Sequence, residues 1–160
     1  MKVKKIVNGA MIGGIYAALT ILLAPISYGM IQVRISEALC VLPMFTPSAI
    51  PGLFIGCLIA NLFYGNIFDI IFGSLATLIA ALLGYRFRKN KFLVPLFPVL
   101  SNALIVGAYM YKLTGVEFTW GYYAVSAFWV GLGELVACYG FGGLLISYLS
   151  KNNIFERIEK

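Results

Sequence analysis

The sequence predicts an all-α membrane protein, a six-transmembrane-helix bundle with its N and C termini cytoplasmic. Three observations predict it. Hydrophobic residues fill 61% of the 160 positions and charged residues only 11%, whereas soluble domains carry about 25% charged residues. A globule this small hides only about two-thirds of its surface, so this much apolar side chain calls for lipid as its solvent. The apolar runs are divided by prolines, glycines and charge clusters into segments near the length of about twenty residues that a helix needs to cross a bilayer. The length allows one unit, so residues 1–160 are read as a single integral membrane domain.

The elements follow in order. Lys2, Lys4 and Lys5 precede an apolar run from Ile6 to about Ala24, the first span. It is long for the apolar region of a signal peptide, and the rest of the chain is also membranous. Pro25 ends it, and Ile26 to Val33 reads as a loop through Ser27, Gly29 and Gln32. A short second span runs from about Arg34 to Phe45. The prolines and Gly52 of the stretch Thr46 to Gly52 mark a turn, with Pro47 or Pro51 opening the third span, about Ile50 to Tyr64. Gly65-Asn66 is a tight turn into a fourth span from about Ile67 to Tyr85. The basic run Arg86 to Lys91 follows, then a fifth span from about Phe92 to Tyr111. Lys112 to Gly121 is a polar loop, a sixth span runs from about Tyr122 to Leu149, and Lys151 to Lys160 is a charged tail.

Lysine and arginine set the orientation, because cytoplasmic loops hold the excess of positive charge. With the N-terminus inside, the inner segments carry the N-terminal lysines, Arg86, Arg88, Lys89, Lys91, Lys151, Arg157 and Lys160. The outer ones carry only Arg34 and Lys112. This distribution explains the net charge of +6 better than phosphate binding does, and no nucleic-acid partner is expected. A re-entrant second span would break the alternation.

Several chemistries find no residues. Histidine is absent, which removes the commonest metal ligand and general base. Cys40, Cys57 and Cys138 stand alone in apolar stretches and are read as packing thiols. There is no phosphate loop, no nucleophile beside a base and no metal motif, so neither catalysis, a metal nor a cofactor is expected. Active transport would draw on an ion gradient or a partner.

Four features remain. Gly9, Gly13 and Ala17 are spaced by four, as are Ala10, Gly14 and Ala18, so each set lies along one helix face. Small residues let a second backbone come close, either another span of this chain or a separate membrane subunit. Arg34 and Glu37 are three apart and can pair on a helix, as an interfacial brace or at the rim of an outward-facing pocket. Asn61, Asp69, Asn102 and Glu134 are polar groups inside spans. Glu134 is deepest, about 18 Å into the sixth span by helical rise, where a carboxylate should face the interior and meet a partner or ligand. Asp69 is near a helix start, where capping competes; Asn61 and Asn102 could be glue between helices. Tyr64, Tyr85, Tyr109, Tyr111, Trp120, Tyr122 and Tyr123 suit an interfacial aromatic belt. Trp129 could stack on a flat ligand, but it is about 140° from Glu134 around an ideal helix.

The stretch Ile31 to Leu39, read as Ile-Gln-Val-Arg-Ile-Ser-Glu-Ala-Leu, with Leu42-Pro43, Pro47 and Ile50-Pro51-Gly52-Leu53, resembles the QueT family of queuosine-precursor transporters. The small-residue face of the first span is similar to the alanine-rich docking face of S-components of energy-coupling factor (ECF) transporters, with glycine at Gly9, Gly13 and Gly14 where alanine is common. The resemblance implies a bacterial multi-pass cell-membrane protein of S-component architecture. Such a subunit captures a 7-deazaguanine, such as a prequeuosine base or queuine, from outside. A transmembrane coupling subunit and two cytoplasmic ATPases would be its partners, with Gly9, Ala10, Gly13, Gly14, Ala17 and Ala18 as the docking face. Its ligand would lie among Glu134, Asn102, Asp69, Glu37, Arg34, Asn61 and Trp129. A carboxylate such as Glu134 can accept both N–H groups of a guanine edge, Asn102 has a donor and an acceptor for the ring, and a cationic aminomethyl arm would favour Asp69 or Glu37. The rival readings are an S-component for riboflavin, thiamine or biotin, a membrane subunit without a ligand, and a small intramembrane enzyme.

Overall fold

The computed structural model describes residues 2–28 and 33–152. Ile31 and Gln32 of the motif, and Arg157 and Lys160 of the tail, lie outside the described residues. The described chain is helical in this order: α1 (Lys2–Leu22), α2 (Ala24–Ser27), a 3-10 helix (Ile35–Met44), α3 (Ala49–Tyr64), a π turn (Asp69–Gly73) leading into α4 (Ser74–Arg86), α5 (Leu96–Thr114), α6 (Trp120–Leu135), a second π turn (Val136–Phe141) and α7 (Gly142–Asn152).

Among the described residues, four stretches are long and apolar enough to cross a membrane: Val3–Leu22, Asp69–Arg86, Leu96–Thr114 and Trp120–Asn152. The second and third expected spans are shorter. The second is a 3-10 helix of ten residues, not an α-helix. At a rise of about 2.0 Å per residue it extends about 20 Å. The fifth begins at Leu96 rather than Phe92, because Lys91 to Pro95 form turns. The sixth reaches Asn152 by way of the π turn that joins α6 to α7.

The packing is the reverse of a soluble globule. Leu22, Phe128 and Leu144 are more than 60% exposed, while Arg34, Glu37, Asn61 and Glu134 are at most 1% exposed. Apolar side chains face outward and polar ones inward, as a bilayer requires.

Glycine sets the closest helix contact. A Cβ on Gly13 would stand 2.6 Å from the Gly52 carbonyl oxygen, and one on Gly52 would stand 2.4 Å from that of Gly9. The pairings of Gly9 with Ser48 and of Gly13 with Gly52 and Gly56 run in the same direction along both helices. α1 and α3 are therefore parallel, and the chain between them must turn back, which the 3-10 helix does. Arg34 lies by Asp69, Glu37 by Thr77 and the Cys40 carbonyl by Gly84, so the 3-10 helix descends alongside α4. α5 and α6 are antiparallel, joined by Asn102–Glu134 at one level and Thr114–Tyr122 at the other.

Candidate functional site

The buried polar side chains meet in two adjoining groups. The first is built around Arg34 and Asp69. Arg34 precedes the 3-10 helix in extended backbone. Its Nη2 is 3.6 Å from Asp69 Oδ1, its Nε donates to the Ser27 carbonyl at 3.2 Å, and its guanidinium lies 5.0 Å from the centre of the Tyr28 ring. The expected Arg34–Glu37 pair does not form, and neither residue stands at an exposed rim. Starting at Ile35, the 3-10 helix leaves Arg34 outside its first turn and turns Glu37 into the bundle instead.

Asp69 serves both roles open to it. Asn66 Oδ1 accepts from the Phe68 and Asp69 amides at 2.8 and 3.2 Å, and Asp69 Oδ2 accepts in return from the Asn66 amide at 3.3 Å and from its side chain. This is a reciprocal cap at the helix start. Oδ1 remains for Arg34 and for the Tyr109 hydroxyl at 2.7 Å. Tyr109 is thus buried beside the ion pair, not in the aromatic belt. Asn61 ties the elements together: its amide donates to the Asp69 carbonyl at 2.8 Å and to Ser74 Oγ at 3.3 Å, and its oxygen accepts from Tyr28 at 2.9 Å. Partial burial pushes the Tyr28 hydroxyl up to about 12, so it stays a donor at neutral pH.

The second group holds Glu37 and Glu134. Glu37 accepts from Tyr16, from Cys40 at 2.8 Å and from Thr77 at 3.3 Å. Glu134, in the last turn of α6, accepts from the Asn102 amide at 2.9 Å and from Cys138 at 3.6 Å. The Cys138 thiol also lies 3.7 Å from the Glu37 main-chain carbonyl, so it touches both glutamates. Cys40 and Cys138 do more than pack. On the other side of the same amide, Asn102 Oδ1 has no hydrogen-bond partner among the described residues, and neither has Arg34 Nη2. Both π turns adjoin these groups, one starting at Asp69 and the other running through Cys138. Such turns often occur at functional sites.

The structure thus gathers Arg34, Glu37, Asn61, Asp69, Asn102 and Glu134. It leaves Trp129 apart, 40% exposed on the outer face with its ring against Phe128. The turn from Glu134 to Trp129 keeps them on different sides of α6. Tyr16, Tyr28, Thr77 and Tyr109 join the site unannounced by spacing. A signal existed for Tyr16, a hydroxyl midway along an apolar run.

The two small-residue stripes of α1 separate as well. Gly9, Gly13 and Ala17 are buried, the glycines directly against α3, while Ala10, Gly14 and Ala18 are exposed. Gly9, Gly13 and Gly14 border a groove of about 690 Å³ with Pro51, Ile55 and Ile59 on its far side.

A family model described as QueT transporter matches residues 6–151. The chain belongs to the QueT transporter family. A relative from Lactococcus lactis subsp. cremoris, described as a queuosine precursor transporter, is 37% identical over 97 residues, or 57% of this chain and 57% of the relative. No solved structure matches the chain. Family membership and the apolar helices make it a multi-pass protein of a bacterial cell membrane.

Proposed function

We propose that this chain is the substrate-capturing subunit of an ECF-type importer, and that it takes a 7-deazaguanine precursor of queuosine from the outer side. The observation that carries the reading is the corner made by Glu134 and Asn102, where a buried carboxylate adjoins an amide oxygen still lacking a donor. A guanine-like edge offers an N–H and an exocyclic amino group side by side, which this row of acceptors suits. The relative's description favours the same class of ligand.

On this reading the protein has six membrane crossings and both termini are cytoplasmic. Parallel α1 and α3, with the 3-10 helix returning between them, support this alternation. The exposed stripe Ala10, Gly14 and Ala18 is the contact for a transmembrane coupling subunit, which would link the chain to two cytoplasmic ATPases. Gly9, Gly13 and Ala17 back that stripe from within.

The test is ligand-dependent melting and calorimetry on the purified protein. A deazaguanine should raise the melting temperature by mass action, whereas riboflavin, thiamine and biotin should not. Glu134→Gln should weaken the deazaguanine at least about tenfold, the scale of one hydrogen bond to a charged group. Stabilisation by a vitamin alone, or by no compound, would overturn the reading.

A further inference from the structure

The interior is unbalanced in charge. Among the described residues, the buried ionisable acids and bases are Glu37, Asp69, Glu134 and Arg34. Arg34 pairs with Asp69. That leaves Glu37 and Glu134 with uncharged donors only, and the Cys138 thiol beside the Glu134 carboxylate also lies against the Glu37 main-chain carbonyl. Two bare carboxylates do not share an apolar interior without a counter-charge, because attraction to a cation is what offsets their lost hydration. The two are not equivalent. Glu37 has three donors, from Tyr16, Cys40 and Thr77, while Glu134 has the Asn102 amide and one long thiol contact. A second, independent feature marks the same place: Asn102 is 1% exposed and its Oδ1 has no donor. This corner is short of positive charge and of hydrogen-bond donors together.

We propose that ligand capture here is an exchange of a cation for a proton. Before capture Glu134 holds a proton, which keeps the interior near neutrality. When a ligand carrying both a donor edge and a cationic amine enters, Glu134 releases that proton to the outer medium and accepts the ligand's N–H groups as a carboxylate. One positive charge leaves and one arrives, so the net charge of the interior is unchanged. The groups facing the two glutamates are Tyr16 from α1, Arg34 and Cys40 beside and within the 3-10 helix, Cys57 from α3, Thr77 from α4, Asn102 from α5 and Cys138 from the second π turn. Arg34 is the one cation among them, and it is already committed to Asp69. This inference rests on the reading of Glu134 and Asn102 as the ligand corner, and it selects within that class: a cationic precursor should be captured with proton release, and a neutral one without.

The experiment is titration calorimetry of the purified protein with 7-aminomethyl-7-deazaguanine and its uncharged 7-cyano analogue. Each is run in two buffers of different ionisation enthalpy. The aminomethyl compound should release about one proton, and its affinity should rise with pH, by up to about tenfold per unit. The cyano compound should release none. Glu134→Gln should abolish the release for the aminomethyl compound; if that variant binds too weakly to follow, the two-buffer comparison on the unaltered protein decides. Binding of the aminomethyl compound without proton release, equal release by both ligands, or an affinity that follows sodium concentration instead of pH would overturn the exchange and leave deazaguanine capture standing. Failure of every deazaguanine to bind would overturn both.

Discussion

At the scale of single residues, burial decides which polar groups matter. Arg34 and Asp69 illustrate the stakes. Removing one member of a buried ion pair strands the other, at a cost of about 3–5 kcal/mol. Asp69→Asn should therefore lower the melting temperature sharply, and the double variant Arg34→Met with Asp69→Asn should recover part of the loss. Trp129 is the contrast. It faces outward, so Trp129→Ala should leave deazaguanine affinity within about twofold, the scale of surface substitutions. Tyr28 gives a pH dependence. Its folded value is raised to about 12, so the folded state keeps a proton that the unfolded chain loses above its ordinary value near 10. The stability it contributes is complete below about pH 10 and falls as pH rises toward 12. Melting curves across that range should show a smaller alkaline decline for Tyr28→Phe than for the unaltered protein.

Helices bring a different constraint, the closeness of backbones. Gly52 has no room for a methyl group, since its Cβ would stand 2.4 Å from the Gly9 carbonyl oxygen. Gly52→Ala must push α1 from α3 and should cost about 1–3 kcal/mol, as overpacking does. Gly14, on the neighbouring stripe of the same helix, has nothing within 4 Å of its Cβ. On the proposed importer reading, Gly14→Leu should leave melting temperature and ligand affinity unchanged while reducing uptake in cells. Unaltered uptake would remove the exposed stripe from the docking role. The 3-10 helix shows how far the sequence could be read. The charged pair Arg34 and Glu37, three apart, suggested a helical salt bridge, but no local pattern states that the helix begins between them. Packing against α4 decides that, and it sends each residue to a partner about 35 to 40 positions away.

For the whole molecule, the parallel arrangement of α1 and α3 shows that the chain between them turns back, and the proposed six crossings with both termini inside make a topology that labelling can test. A single cysteine placed at Glu117 should react with an impermeant maleimide from outside intact cells, and one at Asn90 only after permeabilisation. Cys40, Cys57 and Cys138 are buried and give a low background. Labelling at Asn90 in intact cells would reverse the topology.

From the residues alone it was legible that the chain lives in lipid, that its spans are helical, and that Glu134, Asn102, Asp69 and Asn61 are polar groups inside spans, whereas Arg34 and Glu37 read as a pair at an outer rim. These follow from composition and from the cost of a polar side chain in hydrocarbon, which act at each position without regard to distant neighbours. The pairings come from the packing of the helices instead: Arg34 with Asp69, Glu37 with Tyr16 and Thr77, Glu134 with Asn102, and one small-residue stripe of α1 against α3 with the other left open. A hydrogen bond reaches about 3 Å, and which groups come that close depends on how the helices cross, not on how residues are spaced along any one of them.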